Sequence, residues 1–296
     1  MDNIILVFES YPVFFYTMVL VLGLTVGSFL NVVIYRLPVM MEREFKCACT
    51  SHFGEFKKKE AKGKPADEAT FNLAVPNSTC PKCGHKIKVW ENIPILSWLF
   101  LRGKCSACKT PISIRYPAIE GLTGILSCLL AVKFGVSLQT LFALIFLWSL
   151  VALTFIDIDE MLLPDQITLP LLWLGLLLSL DNVFVSQTDA ILGAVLGYLS
   201  LWSVYWMFKL VTGKEGMGYG DFKLLAALGA WVGYTYLPVI ILFSSFVGAV
   251  FGIAMMMSKK NQQGQAIPFG PYLAIAGLIT FVYGEPIVAM YWEYIL

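Results

Sequence analysis

An all-α polytopic membrane protein with about eight transmembrane helices is the fold class that this sequence of 296 residues predicts. The composition is the first reason: 58% of residues are hydrophobic and 14% charged, with a mean hydropathy of +0.73. Soluble domains average about 45–50% apolar and about 25% charged. The second reason is how the charge is distributed. Residues 36–115 hold 15 of the 21 Lys and Arg and 7 of the 20 Asp and Glu. One segment is therefore water-soluble and the remainder suits a bilayer. This excludes an ordinary soluble enzyme and a disordered chain. A net charge of +1 leaves no global field to attract nucleic acid.

A spanning helix needs roughly 20 mostly apolar residues. The first candidate covers about Pro12–Ile34. It is no cleavable signal peptide, because no basic region precedes it and the apolar run is too long. Further candidates lie near Pro117–Phe134, Leu138–Ile158, Ile167–Leu180, Ala190–Leu210, Phe222–Gly233, Leu237–Met257 and Ile267–Tyr291, the fourth and sixth of the eight being short. The domain plan that follows is residues 1–36 as a first transmembrane helix, 37–116 as a soluble segment and 117–296 as a helical bundle. If the first helix starts outside, the soluble segment is cytoplasmic, as are Lys209, Lys214, Lys223, Lys259 and Lys260; only Lys133 falls outside. That matches the bias of Lys and Arg toward cytoplasmic loops and puts both termini outside. Gly23/Gly27, Gly193/Gly197, Gly229/Gly233 and Gly248/Gly252 are each four residues apart, a spacing that lets helices approach closely in lipid. No internal repeat suggests an inverted-repeat transporter.

Within the soluble segment, Cys80-Pro81-Lys82-Cys83 and Cys105-Ser106-Ala107-Cys108 are separated by 21 residues. Two C-x-x-C pairs at about this spacing predict a small zinc-ribbon-like site with four thiolate ligands. Each tight turn offers two sulfurs, and Gly84 sits where the first turn must bend. A reducing cytoplasm disfavours disulfides, and a thin core needs a staple. Four protein ligands leave the metal no open position, so the ion is expected to be structural. A redox pair or unliganded thiols are the alternatives. Cys47 and Cys49 do not fit a knuckle and read as free thiols in a flexible arm; Cys128 reads as packing. His85 lies close enough to the first knuckle to compete as a ligand. Residues 55–69 read as a solvated loop. Trp90, Ile93, Leu96, Trp98, Leu99 and Phe100 read either as an amphipathic piece on the membrane face or as a small core on the metal site.

Ionisable groups at membrane depth are functional candidates by default. Asp157, Asp159 and Glu160 end the third span, Asp165 follows, Glu120 lies early in the second, and Gly216-Met217-Gly218-Tyr219-Gly220-Asp221 opens the sixth. Asp157 and Asp221 are 64 residues apart yet at one expected depth, the cytoplasmic edge. Two carboxylates a few ångströms apart cannot both ionise easily, so one keeps its proton. The ionised member takes a proton from water while the protonated one polarises a carbonyl, which is the machinery of aspartic peptide hydrolysis. The glycines before Asp221 disfavour regular helix and bare the backbone to an extended substrate. For Asp159, Glu160 and Asp165 the plain alternative is a solvated loop charge. For Asp157 it is a helix-end charge snorkelling to water, and for Asp221 and Glu120 a carboxylate meeting a helix N-terminus.

These residues together resemble the type IV prepilin peptidases, the bifunctional leader peptidase/N-methyltransferases of pilus and type II secretion systems. The likeness covers nearly the whole chain. It rests on Gly27-Ser28-Phe29-Leu30-Asn31-Val32-Val33-Ile34-Tyr35-Arg36-Leu37-Pro38, the cysteine quartet, Asn92-Ile93-Pro94, Pro111-Ile112-Ser113 through Tyr116-Pro117, and Glu120. It continues through Asp157–Asp165, Gly216–Asp221 and Pro268-Phe269-Gly270-Pro271-Tyr272. The resemblance implies that Asp157 and Asp221 are the peptidase aspartates. It implies cleavage on the cytoplasmic side of the bacterial inner membrane, after a glycine, of a basic leader preceding a hydrophobic helix in a prepilin or pseudopilin precursor. It also implies methylation of the new N-terminal amine with S-adenosylmethionine as donor, an activity for which no glycine-rich nucleotide turn is visible. The rival classes are an ion-coupled transporter using the carboxylates, a non-catalytic scaffold whose zinc segment binds a partner, and a protease of the presenilin type that cuts within a spanning helix.

Overall fold

The computed structural model describes residues 2–53, 71–257 and 267–295. Ten α-helices occur among them: α1 (Asp2–Ser10), α2 (Pro12–Phe53), α3 (Leu96–Phe100), α4 (Arg115–Phe134), α5 (Leu138–Glu160), α6 (Asp165–Ser179), α7 (Gln187–Thr212), α8 (Tyr219–Val232), α9 (Leu237–Met257) and α10 (Gly270–Ile295). Each of the eight apolar segments forms a helix. Six helices are long and apolar enough to cross a membrane, and α6 and α8, of 15 and 14 residues, are the two segments expected to be short. The chain is all-α and divides into two compact units, Val13–Cys128 and the combination of Met1–Pro12 with Leu129–Leu296.

In the Val13–Cys128 unit, α2 runs far beyond the apolar stretch. Its 42 residues include Pro38 and continue through residue 36 to Phe53, a length of about 63 Å, twice a bilayer's hydrocarbon thickness. A proline inside a helix forfeits one hydrogen bond. The following Met, Glu and Arg residues are good helix formers, and Glu42 pairs with Lys46 one turn on at 2.5 Å. The segment around Cys47 and Cys49 is thus helical rather than a flexible arm. The expected loop at 55–69 lies outside the described residues, as do Lys259 and Lys260.

Helices α2 and α4 run antiparallel in one register. A Cβ on Gly23 would lie 2.9 Å from Gly124 Cα, one on Gly27 would lie 2.8 Å from Glu120 Cα, and Asn31 Nδ2 donates to the Tyr116 carbonyl at 3.3 Å. The segment between the helices is tied back by buried groups. Arg36 donates to the carbonyls of Asn72 and Pro76 at 2.9 and 2.6 Å, and the Ile95 amide donates to the Glu120 carboxylate at 2.7 Å.

In the other unit α8 is the core. Every residue from Asp221 to Val232 is buried except Lys223, as expected of a helix that is apolar on all sides. Helices α6, α7 and α10 pack around it. Trp231 donates its indole N–H to the Leu171 carbonyl at 2.8 Å and packs with Phe146, Phe184 and Phe281. The glycine spacing marks the tightest crossing: a Cβ on Gly193 would collide with the Gly229 carbonyl, and one on Gly229 with that of Gly193. Helix α5 ends where α6, α8 and α10 begin, so one end of this unit gathers their termini.

Candidate functional site

Asp157 and Asp221 belong to that end. They are 5% and 7% exposed, among the few buried charged residues. Asp157 lies one turn before the close of α5, whose last turn is sealed by Met161 in the left-handed conformation, its N–H bonded to the Asp157 carbonyl at 3.0 Å. The Asp157 Oδ2 accepts the Gly270 N–H at 2.9 Å. Gly270 opens α10, so this carboxylate takes one of the four amides that a helix start leaves without an intrahelical partner.

Asp221 lies in the first turn of α8, just after the Gly218 cap position. Its Oδ2 turns back to within 3.7 Å of where a Gly218 Cβ would stand. Each carboxylate has a neighbouring glycine, Gly270 for Asp157 and Gly220 for Asp221, that packs on Leu163. Leu163 wedges between their supports: a Cβ on Gly220 would lie 2.7 Å from Leu163 Cβ, and one on Gly270 would lie 3.0 Å from Leu163 Cδ2.

The three glycines before Asp221 serve different ends. Gly216 faces the Phe208 ring at 2.9 Å from a would-be Cβ, Gly220 faces Leu163, and Gly218 opens outward. Gly216 and Gly218 are exposed and non-helical, so bare backbone lies next to Asp221. Asp165 is no lone loop charge: both of its oxygens meet Lys223 Nζ, at 2.8 and 2.7 Å, tying the start of α6 to α8. Asp159 and Glu160 are exposed at the end of α5. Sequence reasoning missed Lys223 and Gly270 as partners of these acids. Lys223 stands two residues after Asp221, a visible signal, whereas nothing local to Gly270 points to Asp157.

In the Val13–Cys128 unit, Cys80, Cys83, Cys105 and Cys108 bring their Sγ atoms within 4.8 Å of one another. Two copies of one turn make this cluster. In the first, the Gly84 amide bonds to the Cys80 carbonyl and the Cys80 amide to the His85 carbonyl, both at 2.9 Å. In the second, Lys109 bonds to Cys105 at 3.0 Å and Cys105 to Thr110 at 2.8 Å. Gly84 and Lys109 both adopt positive φ, 70° and 59°, the left-handed bend each turn needs. Tetrahedral thiolates at about 2.3 Å from zinc stand about 3.8 Å apart, and Cys80 Sγ lies 3.8 Å from Cys108 Sγ. The donor set therefore fits the ion.

His85 does not join the cluster. Its Nε2 contacts Glu91 Oε2 at 3.1 Å and Ser106 Oγ at 3.2 Å. The Lys88 amide, the Ser106 hydroxyl and His85 hold the Glu91 carboxyl down at about 2. Trp98 covers the second turn, donating to the Ile112 carbonyl at 3.2 Å with its ring 2.9 Å from a would-be Gly103 Cβ. Cys47 and Cys49 stand on α2, apart from the cluster, and Cys128 is half-buried in α4.

These features define a polytopic helical membrane protein with two buried aspartates in one unit and a four-cysteine cluster suited to zinc in the other. Comparison with known proteins makes the class specific. Residues 21–134 match the Bacterial Peptidase A24 N-terminal domain, and residues 144–253 match the Type IV leader peptidase family. Proteins named prepilin leader peptidase/N-methyltransferase are similar along almost their full length. That of Stutzerimonas stutzeri is 56% identical over 285 residues and that of Aeromonas hydrophila 54% over 283, each alignment covering 96% of both chains. That of Pseudomonas aeruginosa is 53% identical over 285 residues, again 96% of both. No solved structure matches. The chain belongs to the prepilin leader peptidase/N-methyltransferase family, and its class is that of a membrane enzyme combining peptidase and methyltransferase activities.

Proposed function

We propose that Asp157 and Asp221 hydrolyse the peptide bond joining a basic leader to the hydrophobic helix of a prepilin or pseudopilin precursor. What supports this reading above all is that two aspartates 64 residues apart are both buried and both flank Leu163 through Gly270 and Gly220. Between them they hold one proton. The ionised carboxylate accepts a proton as the oxygen of water bonds to the scissile carbonyl carbon; the protonated one donates a hydrogen bond to the carbonyl oxygen. Collapse of the tetrahedral adduct breaks the C–N bond, and the leaving nitrogen takes a proton from the pair. The exposed Gly216 and Gly218 leave main-chain room for an extended substrate strand. The precursor's apolar helix stays in lipid, with its leader in the cytoplasm at the face of a bacterial inner membrane.

Hydrolysis leaves a free α-amine on the mature product. That amine is the acceptor of the second activity, with S-adenosylmethionine as methyl donor. The cysteine quartet holds one structural zinc ion, whose coordination four thiolates complete.

The test is incubation of the purified enzyme with a prepilin and S-adenosylmethionine, followed by intact-mass measurement of the product. The expected product has lost its leader and gained one methyl group. An intact precursor overturns the peptidase assignment, and a shortened product without added methyl overturns the methyltransferase alone.

A further inference from the structure

The four-cysteine module turns large apolar side chains outward. Val89, Trp90, Leu96, Leu99 and Phe100 are 86%, 66%, 51%, 56% and 84% exposed. All five fall within residues 89–100. Water-facing surfaces of small domains rarely gather this much apolar area, and where they do the patch has an occupant.

The depth of the patch follows from the α2–α4 register. Helix α4 has 20 residues, about 30 Å, one hydrocarbon thickness. Glu120 therefore lies about 7 Å inside the end marked by Arg115. Ile95, which precedes α3, donates its amide to Glu120 at 2.7 Å, and its Cδ1 stands 3.6 Å from a would-be Gly121 Cβ. Helix α3 thus starts at the depth of Glu120 and Gly121. Its five residues cover about 7 Å, so Leu96, Leu99 and Phe100 rise no higher than the level of Arg115. Tyr116 and Leu122 of α4, both exposed, bracket that depth. The patch therefore lies level with exposed apolar side chains of a helix long and apolar enough to span. Cations rim it: Lys88 Nζ lies 5.3 Å from the Trp90 ring centre, and Arg102 and Lys104, both exposed, follow α3 directly.

We infer that α3 and the turn carrying Trp90 are an interfacial foot, by which the metal-binding module is seated in the lipid bilayer. Leu96, Leu99 and Phe100 enter the acyl region, and Trp90 lies at the headgroup level that tryptophan favours. Lys88, Arg102 and Lys104 meet anionic phosphate groups. The occupant is lipid rather than a protein because the patch lies at bilayer depth and is bordered by cations. The inference does not depend on which residues perform the hydrolysis.

The test uses the full-length, metal-loaded protein in nanodiscs of mixed phosphatidylethanolamine and phosphatidylglycerol, with photoreactive benzoylphenylalanine replacing Phe100, Trp90 or Ala74. Ala74 is the control. It is exposed and lies between Asn72 and Pro76, whose carbonyls Arg36 holds, about 14 Å along the helix axis from the Ile95 level. After illumination, intact mass should show a phospholipid adduct at positions 100 and 90 and none at 74, with phosphatidylglycerol over-represented relative to its share in the disc. A retained zinc ion shows that each variant is folded, and two probe sites guard against failure of either one. Lack of lipid adduct at both apolar sites, equal labelling at Ala74, or cross-links to a second protein chain would overturn the inference. Adducts that mirror the disc composition would overturn the role given to the three cations.

Discussion

At Gly270 a hydrogen atom stands where any side chain would press on a carboxylate. A Cβ there would lie 2.7 Å from Asp157 Oδ2 and 3.0 Å from Leu163 Cδ2, while the Gly270 amide is the group that orients Asp157. Gly270→Ala should therefore displace the carboxylate without removing it. A displacement of about 1 Å costs on the order of 100-fold in rate, so kcat for leader cleavage should fall by about that factor with KM little changed. Steady-state kinetics on a prepilin separate the two. The Asp165–Lys223 pair is different in kind. Both members are substantially exposed, and exposed pairs contribute about 1 kcal/mol or less. Asp165→Asn should leave cleavage within a few-fold of the parent, measured in the same assay. Asp157 and Asp221 stood out in the sequence as candidates because acids in apolar surroundings are rare and chemically expensive, and both are buried. Gly270 did not stand out, because its role exists only once the start of α10 lies beside the end of α5, and no local pattern encodes that meeting. The same holds for Glu120 and Arg36: each is a conspicuous charge in the sequence, but their partners are backbone groups of Ile95, Asn72 and Pro76, which sequence does not mark.

Among the elements, the helices themselves were the most legible part. Long apolar runs have few other stable forms in lipid, because every backbone group must be satisfied internally. The continuation of α2 past the apolar run was not legible, because hydropathy reports where the bilayer ends, whereas the helix continues wherever propensity supports it; Pro38 removes one hydrogen bond and does not stop it. The four-residue glycine spacing gave the close backbone crossings at Gly23/Gly27, Gly193/Gly197 and Gly229 but not their partners, and Gly248/Gly252 meet only side chains. Gly193 and Gly229 face each other's carbonyls, and backbone cannot swing aside as a flexible side chain does. Gly193→Ala should destabilise the α7–α8 pair by about 3 kcal/mol, the upper part of the usual over-packing range. A lowered thermal midpoint in detergent checks this. The two cysteine turns invite the opposite change. Lys109 holds the left-handed conformation that Gly84 holds in the other copy, and a non-glycine residue is strained there by roughly 1 kcal/mol. Lys109→Gly should strengthen the module, read as slower zinc transfer to a chelator.

For the molecule as a whole, the chain divides into one unit carrying the four-cysteine cluster and another whose core is α8 and its aromatic neighbours. Cysteine spacing made the four-thiol cluster legible, since C-x-x-C turns are set by local geometry. Whether the apolar residues around α3 face outward or inward was not legible, because burial is a tertiary property. Removing the metal should act locally. Cys105→Ser should bind no zinc by elemental analysis and should render residues 80–110 sensitive to limited proteolysis. The helical signal in circular dichroism should change little, since most helical residues lie elsewhere. The peptidase reading makes a sharper demand, that two acids act as one device. Groups that act as a unit show strongly non-additive losses. The most direct measurement is the rate of leader cleavage by Asp157→Asn, Asp221→Asn and the double variant, each in its inserted, folded form. Each single replacement should lower the rate by at least about 10²–10⁴-fold, the worth of positioned acid–base catalysis, and the double variant should be no slower than the worse single one. Wild-type cleavage by either single variant, or losses that multiply in the double, would contradict the shared-proton pair.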